Sequence, residues 1–232
     1  MTRLEIIPIE DLPEVRPGDD IADMIAASGV VVSGDVLVVT QKIVSKAENC
    51  LVDIDPNDPL SHKPLVERES VRILRRRGEL IISQTRHGFV CANAGIDLSN
   101  VERGQAALLP DDSDRSARRI RDGLRGRHDL DVAVIISDTF GRPWRRGLTD
   151  VAIGSAGISP ILDLRGTPDA LGREMQVTEV ALVDELASAA ELVMGKSSGV
   201  PVAIVRGGDP TWFGTGSVAA DIVRDPADDL FR

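Results

Sequence analysis

The chain has 232 residues, of which 42% are hydrophobic and 28% charged, with a formal net charge of −10 at pH 7. This length can bury a substantial core, as one large domain or two small ones, and the composition excludes a disordered chain. The acidic balance argues against nucleic-acid binding, and the basic runs Arg72 to Arg77 and Arg115 to Arg127 read as solvated helix faces.

In chain order, Leu4 to Ile9 reads as a short strand, followed by a Pro/Gly-punctuated loop from Pro13 to Gly18. Ile21 to Ala27 has helical spacing, with Asp19 or Asp20 able to cap its start. Asp35 marks the turn into a strand over Val36 to Val39, and Ile43 to Glu48 begins a helix or continues that strand. Asp53 to Pro64, rich in Asp and Pro, is a loop. Val66 to Arg77 has the amphipathy of a surface helix ending at Gly78. Leu80 to Ser83 and Gly88 to Ala92 read as two strands around Gln84 to His87. The run Asp111, Asp112, Ser113, Asp114 precedes an arginine-rich helix through Arg125. Val132 to Ser137 is the strongest strand signal. Thr178 to Met194 is the strongest helix, with Val180, Val183, Leu186, Ala187, Ala190 and Val193 on one stripe, and Val202 to Arg206 is a further strand. Paired short strands with intermittent helices lack the alternation of a doubly wound sheet, so an α+β class with mixed sheets and flanking helices is expected.

The chemistry concentrates in Ser137-Asp138-Thr139-Phe140-Gly141-Arg142-Pro143-Trp144-Arg145-Arg146-Gly147-Leu148-Thr149-Asp150. It follows the apolar run Val132 to Ile136, which places Asp138 at a strand's end, where ligand groups are held still. An Asp-Thr pair can hold a divalent cation through oxygen, and Arg142, Arg145 and Arg146 can hold phosphate or carboxylate. The competing reading is a solvated turn with a basic rim. Downstream, Ala152-Ile153-Gly154-Ser155-Ala156-Gly157 suggests close backbone packing or approach to a ligand.

These blocks, with Thr40-Gln41-Lys42-Ile43-Val44-Ser45-Lys46-Ala47-Glu48, Ala92-Asn93-Ala94-Gly95-Ile96-Asp97-Leu98-Ser99-Asn100, Leu12-Pro13-Glu14-Val15 and Met194-Gly195-Lys196-Ser197-Ser198-Gly199-Val200-Pro201, resemble the coenzyme F420-0:L-glutamate ligase family across nearly the whole chain and in order. The resemblance implies an α+β, two-lobed subunit over residues 1–232, an intimate homodimer, and no nitroreductase-like domain after it. It also implies an activity: GTP-dependent addition of L-glutamate to the phospholactyl carboxylate of coenzyme F420-0, extended by gamma linkage through an acyl phosphate. Carried over by residue, Asp97, Asp138 and Thr139 match metal positions for Mg²⁺ or Mn²⁺. Leu12, Pro13, Glu14, Val15, Gln41, Lys46, Asn100, Gly195, Lys196 and Ser197 match the nucleotide site. The family's glutamine metal ligand aligns with Lys196, and a protonated lysine cannot ligate a cation, so Lys196 is expected on phosphate oxygens. Arg142, Trp144, Arg145 and Arg146 are expected at the acceptor.

Blander roles stand beside these: Lys46 as an ordinary helix lysine, Asn100 as an Asx turn, Asp97 as a helix cap and Trp144 as a structural tryptophan. Two rival functions are another nucleotide-dependent carboxylate-amine ligase or kinase, and a non-catalytic nucleotide-binding module. The sequence has no GxxxxGK[ST] and no GxGxxG, which disfavours ordinary phosphate-loop and dinucleotide folds. Cys50 and Cys91 fit no disulfide framework or CxxC motif and are expected as buried free thiols. His62 and His128 are expected in solvent. Without a signal pattern or a membrane-length apolar run, a cytoplasmic protein is expected.

Overall fold

The apolar runs at Val36 and Val134 are too continuous for strands with one wet face, and the computed structural model, which describes residues 3–230, buries both faces of each. In chain order the elements are β1 (Glu5–Pro8), α1 (Ile21–Ala27), β2 (Val36–Thr40), α2 (Gln41–Ala47), β3 (Leu51–Asp53), α3 (Lys63–Glu69), β4 (Ser70–Arg77), β5 (Leu80–Thr85) and β6 (Val90–Ala92). They continue as β7 (Gln105–Ala107), α4 (Ser113–His128), β8 (Ala133–Arg142), β9 (Arg145–Ala156), β10 (Leu162–Asp163), β11 (Glu179–Val180), α5 (Leu182–Met194), β12 (Val202–Arg206) and α6 (Val218–Asp221). The fold is α+β, as the sequence implied.

The central sheet has the order β1-β12-β2-β8-β9. Its neighbours run antiparallel except β2 and β8, which are parallel with Thr40 opposite Ser137. Side chains alternate along β2: Leu37 and Val39 join a core with α1 and α4, whereas Val36 and Val38 join a second core with α5. A smaller core of Val66, Ile81, Ala94, Ile96 and Ala106 lies beneath the sheet β4-β5-β6 and the pair β3-β7. Asp20 caps α1 by accepting from the backbone of Ala22 and Asp23, and Asp112 caps α4 by accepting from Arg115.

Several expectations are corrected. The helix expected over Val66 to Arg77 stops at Glu69, and Ser70 to Arg77 form β4, paired with β5. Gly78, φ 58°, is not a helix cap but part of the tight turn that joins Arg77 to Leu80. A glycine with positive φ serves either purpose, so the sequence signal was ambiguous. The helix expected from Thr178 starts at Leu182, because Glu179 and Val180 pair with β10. Asp138 is not at a strand's end: β8 runs on to Arg142, turns at Pro143 and Trp144, and returns as β9. His62 is buried, with Nδ1 unpartnered, while His128 stays exposed and bonds Asp23. Both cysteines are free, Cys91 buried and Cys50 half-buried.

The glycine-rich run is a packing device at Gly154. A Cβ built there would lie 2.3 Å from the carbonyl carbon of Ser113 and 2.7 Å from the backbone nitrogen of Asp114, so the start of α4 crosses β9 at backbone contact. Asp114 consolidates the crossing by accepting hydrogen bonds from the backbone of Ser155, Val218 and Ala219. Gly154→Ala is therefore expected to cost about 2 kcal/mol or more, a fall of roughly 4–8 °C in Tm by calorimetry. An unchanged Tm would show that the helix can back away freely.

Candidate active site

The carboxyl end of β2 and the middle of β8, where the parallel pairing of these two strands ends at Thr40 and Ser137, open into a cleft of about 340 Å³. Such a position suits a ligand site because the chain leaves the sheet there and the strands hold the departing residues. The cleft is lined by Leu12 to Val15, by Thr40 to Ile43 and Lys46 around the start of α2, and by Asn100. Ser137, Asp138, Thr139 and Asp150 line it from the β8-β9 ribbon, and Glu191, Gly195, Lys196 and Ser197 from the end of α5 and beyond. Every residue matched to the nucleotide site thus reaches one cavity, together with Asp138 and Thr139. Asp97 joins them indirectly: its Oδ2 is 2.7 Å from Lys42 Nζ, and Lys42 lines the cleft.

Polar contacts organise the walls. Asp97 accepts from the backbone of Ser99 at 2.7 Å, and Lys42 Nζ donates to Ser99 Oγ at 2.8 Å. Lys46 is paired with Glu14. Ser45 Oγ donates to Gln41 Oε1 at 2.7 Å, while the buried Gln41 Nε2 has no partner and is a free donor in a wall residue. Thr139 Oγ1 donates to Asp150 Oδ1 at 2.7 Å, as their opposed positions in β8 and β9 require. Lys196 Nζ meets Thr139 Oγ1, Asp150 Oδ1 and Glu191 Oε1 at 2.6, 2.7 and 2.8 Å. Asn100 adopts φ 53°, the left-handed region that asparagine tolerates better than most residues.

Asp138 has no ion-pair partner among the described residues. It keeps part of its surface open to the cleft, yet burial pushes its carboxyl up to about 7; the Thr139 backbone hydrogen bond pulls the other way, and the charges of Asp97 and Asp150 push it further up. Burial also acts to raise Asp97, but the Lys42 and Ser99 hydrogen bonds outweigh it and hold that carboxyl below its usual range. Burial raises Glu191, opposed by its bond to Lys196. In Lys196 burial disfavours the charge, and bonds to Asp150 and Glu191 overcome it, holding the ammonium above its ordinary range. Among the described residues no three His, Cys, Asp or Glu side chains form a ready metal cage. Instead Lys42 bonds Asp97, and Lys196 bonds Asp150 and Glu191.

The residues expected at the acceptor lie elsewhere. Arg142, Trp144, Arg145 and Arg146 sit at the exposed tip of the ribbon, with Trp144 83% exposed, and none lines the cleft. From Asp138 to Arg142 the strand rises by roughly 13 Å. Three charged cleft residues were not expected as site residues from the sequence: Lys42, Asp150 and Glu191. Asp150 becomes legible once Ser137 to Asp150 is read as a hairpin, because it then faces Thr139. Lys42 stood inside a quoted motif. Glu191 carried no signal beyond its place in the last turn of α5, just before the Lys196 loop.

An assembly of acids, ammonium groups and an unpaired amide donor at the end of a parallel strand pair is suited to polyanions and hard cations. Residues 10–207 match the F420-0:gamma-glutamyl ligase family, and the chain belongs to it. A protein of Methanopyrus kandleri named coenzyme F420:L-glutamate ligase is 45% identical, the match covering 99% of this chain and 97% of that protein. Proteins of the same name from Methanothermobacter thermautotrophicus and Methanocaldococcus jannaschii are 44% and 37% identical, covering 88% and 99% of this chain and 89% and 97% of their own.

The raised carboxyl makes a prediction for Asp138→Asn. In the unfolded chain Asp138 ionises near 3.8, in the folded chain near 7, so its charge costs stability as pH rises between those values, fully above pH 7. The asparagine variant should therefore exceed the parent in Tm at pH 8, with the gap closing towards pH 4. A gap independent of pH would remove the assigned cause.

Proposed function

We propose that this chain is a GTP-dependent ligase that joins L-glutamate to the terminal carboxylate of coenzyme F420-0 and extends the product by gamma linkage. The observation that carries the reading is the convergence of Leu12 to Val15, Gln41, Lys46, Asn100, Asp138, Thr139 and Lys196 on one cleft, in a chain of this family.

A carboxylate is a poor electrophile for an amine. Transfer of the γ-phosphoryl forms a bond from a carboxylate oxygen to phosphorus and releases GDP; the glutamate nitrogen then bonds to the acyl carbon, loses a proton and expels phosphate. The protein's task in such a reaction is chiefly positioning and charge neutralisation. Gln41 Nε2 offers an unpaired donor for the nucleotide, and Lys46 can exchange Glu14 for a phosphate oxygen. Oxygen donors with an uncompensated carboxylate at Asp138 fit a hard divalent cation, Mg²⁺ or Mn²⁺, held by Asp97, Asp138 and Thr139. When bound, such a cation supplies neutralising charge to the phosphate oxygens. Asp138 and Thr139 orient that side of the cleft, and Lys42 keeps Asp97 ionised and aimed.

The acceptor lies along the ribbon, its carboxylate at the cleft and its outer part near Arg142, Arg145 and Arg146, whose forks suit phosphodiester oxygens. Trp144 offers a flat face to a ring. A homodimer is part of the proposal, supported by exposed apolar side chains on β4 (Val71, Ile73, Leu74) and the ribbon (Leu148).

Incubation with F420-0, GTP, Mg²⁺ or Mn²⁺ and L-glutamate should yield GDP and a product heavier by one or more glutamyl units by mass spectrometry. GTP turnover that ignores acceptor and glutamate would refute it. Asp138→Asn should lose at least about a hundredfold in kcat through lost charge stabilisation. Lys46→Ala should weaken GTP binding in calorimetry by about tenfold, the scale of one charge-assisted contact, at nearly unchanged Tm. Equal GTP affinity would leave Lys46 as a lysine that only pairs Glu14.

A further inference from the structure

Lys196 is held as a metal ion would be. Its ammonium has three N–H donors, and three oxygens from three elements take them: Thr139 Oγ1 of β8 at 2.6 Å, Asp150 Oδ1 of β9 at 2.7 Å and Glu191 Oε1 of α5 at 2.8 Å. Two carboxylates and a hydroxyl are also the ligand types that a hard divalent cation selects. Asp150 is 3% exposed and Glu191 20% exposed at the side chain, so neither carboxylate can rely on solvent to offset its charge. With all three donors engaged, Lys196 has no N–H left for a phosphate oxygen. The opposite wall differs. Asp97 is matched by Lys42 alone, and Asp138 has no ion-pair partner among the described residues.

We infer that Lys196 is a built-in counter-ion that takes the place of one divalent cation, so that the cleft accepts a single metal ion on the Asp97 and Asp138 side. This rests on the proposed function only in treating the cleft as a metal and nucleotide site, and it narrows the ligand set given there. The charge count agrees. Asp97, Asp138, Asp150 and Glu191 bring four negative charges, and Lys42 and Lys196 remove two, leaving the equivalent of one divalent cation. Lysine at this position has a second consequence. The bridge from β8 and β9 to the end of α5 is tied without any added ion, so this wall stays assembled in the metal-free protein.

The test is a titration of the full chain with Mn²⁺ alone, free metal being read by electron paramagnetic resonance. The parent should bind one ion per chain. Lys196→Gln and Lys196→Met leave Thr139, Asp150 and Glu191 without a counter-ion, and each should gain a second site. Lys196→Arg keeps the charge and should remain at one. Circular dichroism and Tm confirm that each variant is folded. Asp138→Asn should abolish the parent's single site. Two ions in the parent, or one in both uncharged variants, would overturn the inference while leaving the metal cleft intact. A site unaffected by Asp138→Asn would overturn the placement of the metal and, with it, the reading of the cleft itself.

Discussion

Four carboxylates, Asp97, Asp138, Asp150 and Glu191, lie in or beside a cleft that the fold partly closes to water, and their mutual repulsion is the constraint that the surrounding structure answers. Such charges interact strongly where solvent screening is weak. Two lysines absorb part of the strain: Lys42 steadies Asp97, and Lys196 steadies Asp150 and Glu191. Asp138 is left without an ion-pair partner among the described residues, and burial, reinforced by the charges of Asp97 and Asp150, pushes its carboxyl up to about 7. Residues that destabilise a fold in this way are characteristic of places where a ligand supplies the missing charge.

The scaffold explains how the acids can be held so close. β2 and the first half of β8 are parallel and buried on both faces, so the point where their pairing ends, at Thr40 and Ser137, is held rigid. β8 does not stop there. It continues as a ribbon with β9, so Thr139 and Asp150 face each other as cross-strand partners with no loop entropy to hold down. The α5 helix packs on the same sheet through Val183, Leu186, Ala187 and Ala190, which delivers Glu191 and Lys196 to the cleft's remaining wall. The site is thus built from the termini of elements whose other faces are core.

How much of this was legible varies by residue and for identifiable reasons. β2, β12, the first part of β8 and the capped starts of α1 and α4 were readable because burial on both faces and Asp caps leave local marks in sequence. The segment Val66 to Arg77 was not. Its amphipathy suits a helix, but β4 gains its hydrogen bonds from β5, a partner that local periodicity cannot announce. The ribbon was misjudged for the same reason: Gly141, Pro143 and Gly147 look like loop residues, yet they form the turn and bulge of a hairpin.

Sequence alone determined the α+β class, the family motifs in their order, and the residue types that face the cleft, because hydrophobic period, capping and short motifs are local properties. Tertiary structure alone decided which charges meet. That Asp150 stands opposite Thr139, that Lys42 bonds Asp97 and that Lys196 spends its three donors on Thr139, Asp150 and Glu191 depend on strand register and on the packing of α5. It also decided that the arginines of the ribbon tip lie outside the cleft, roughly 13 Å along the strand from Asp138. Electrostatic partners are set by distance in space, and residues separated by 46 to 57 positions, such as Asp150, Thr139 and Lys196, acquire that distance only when the sheet and α5 close on one another.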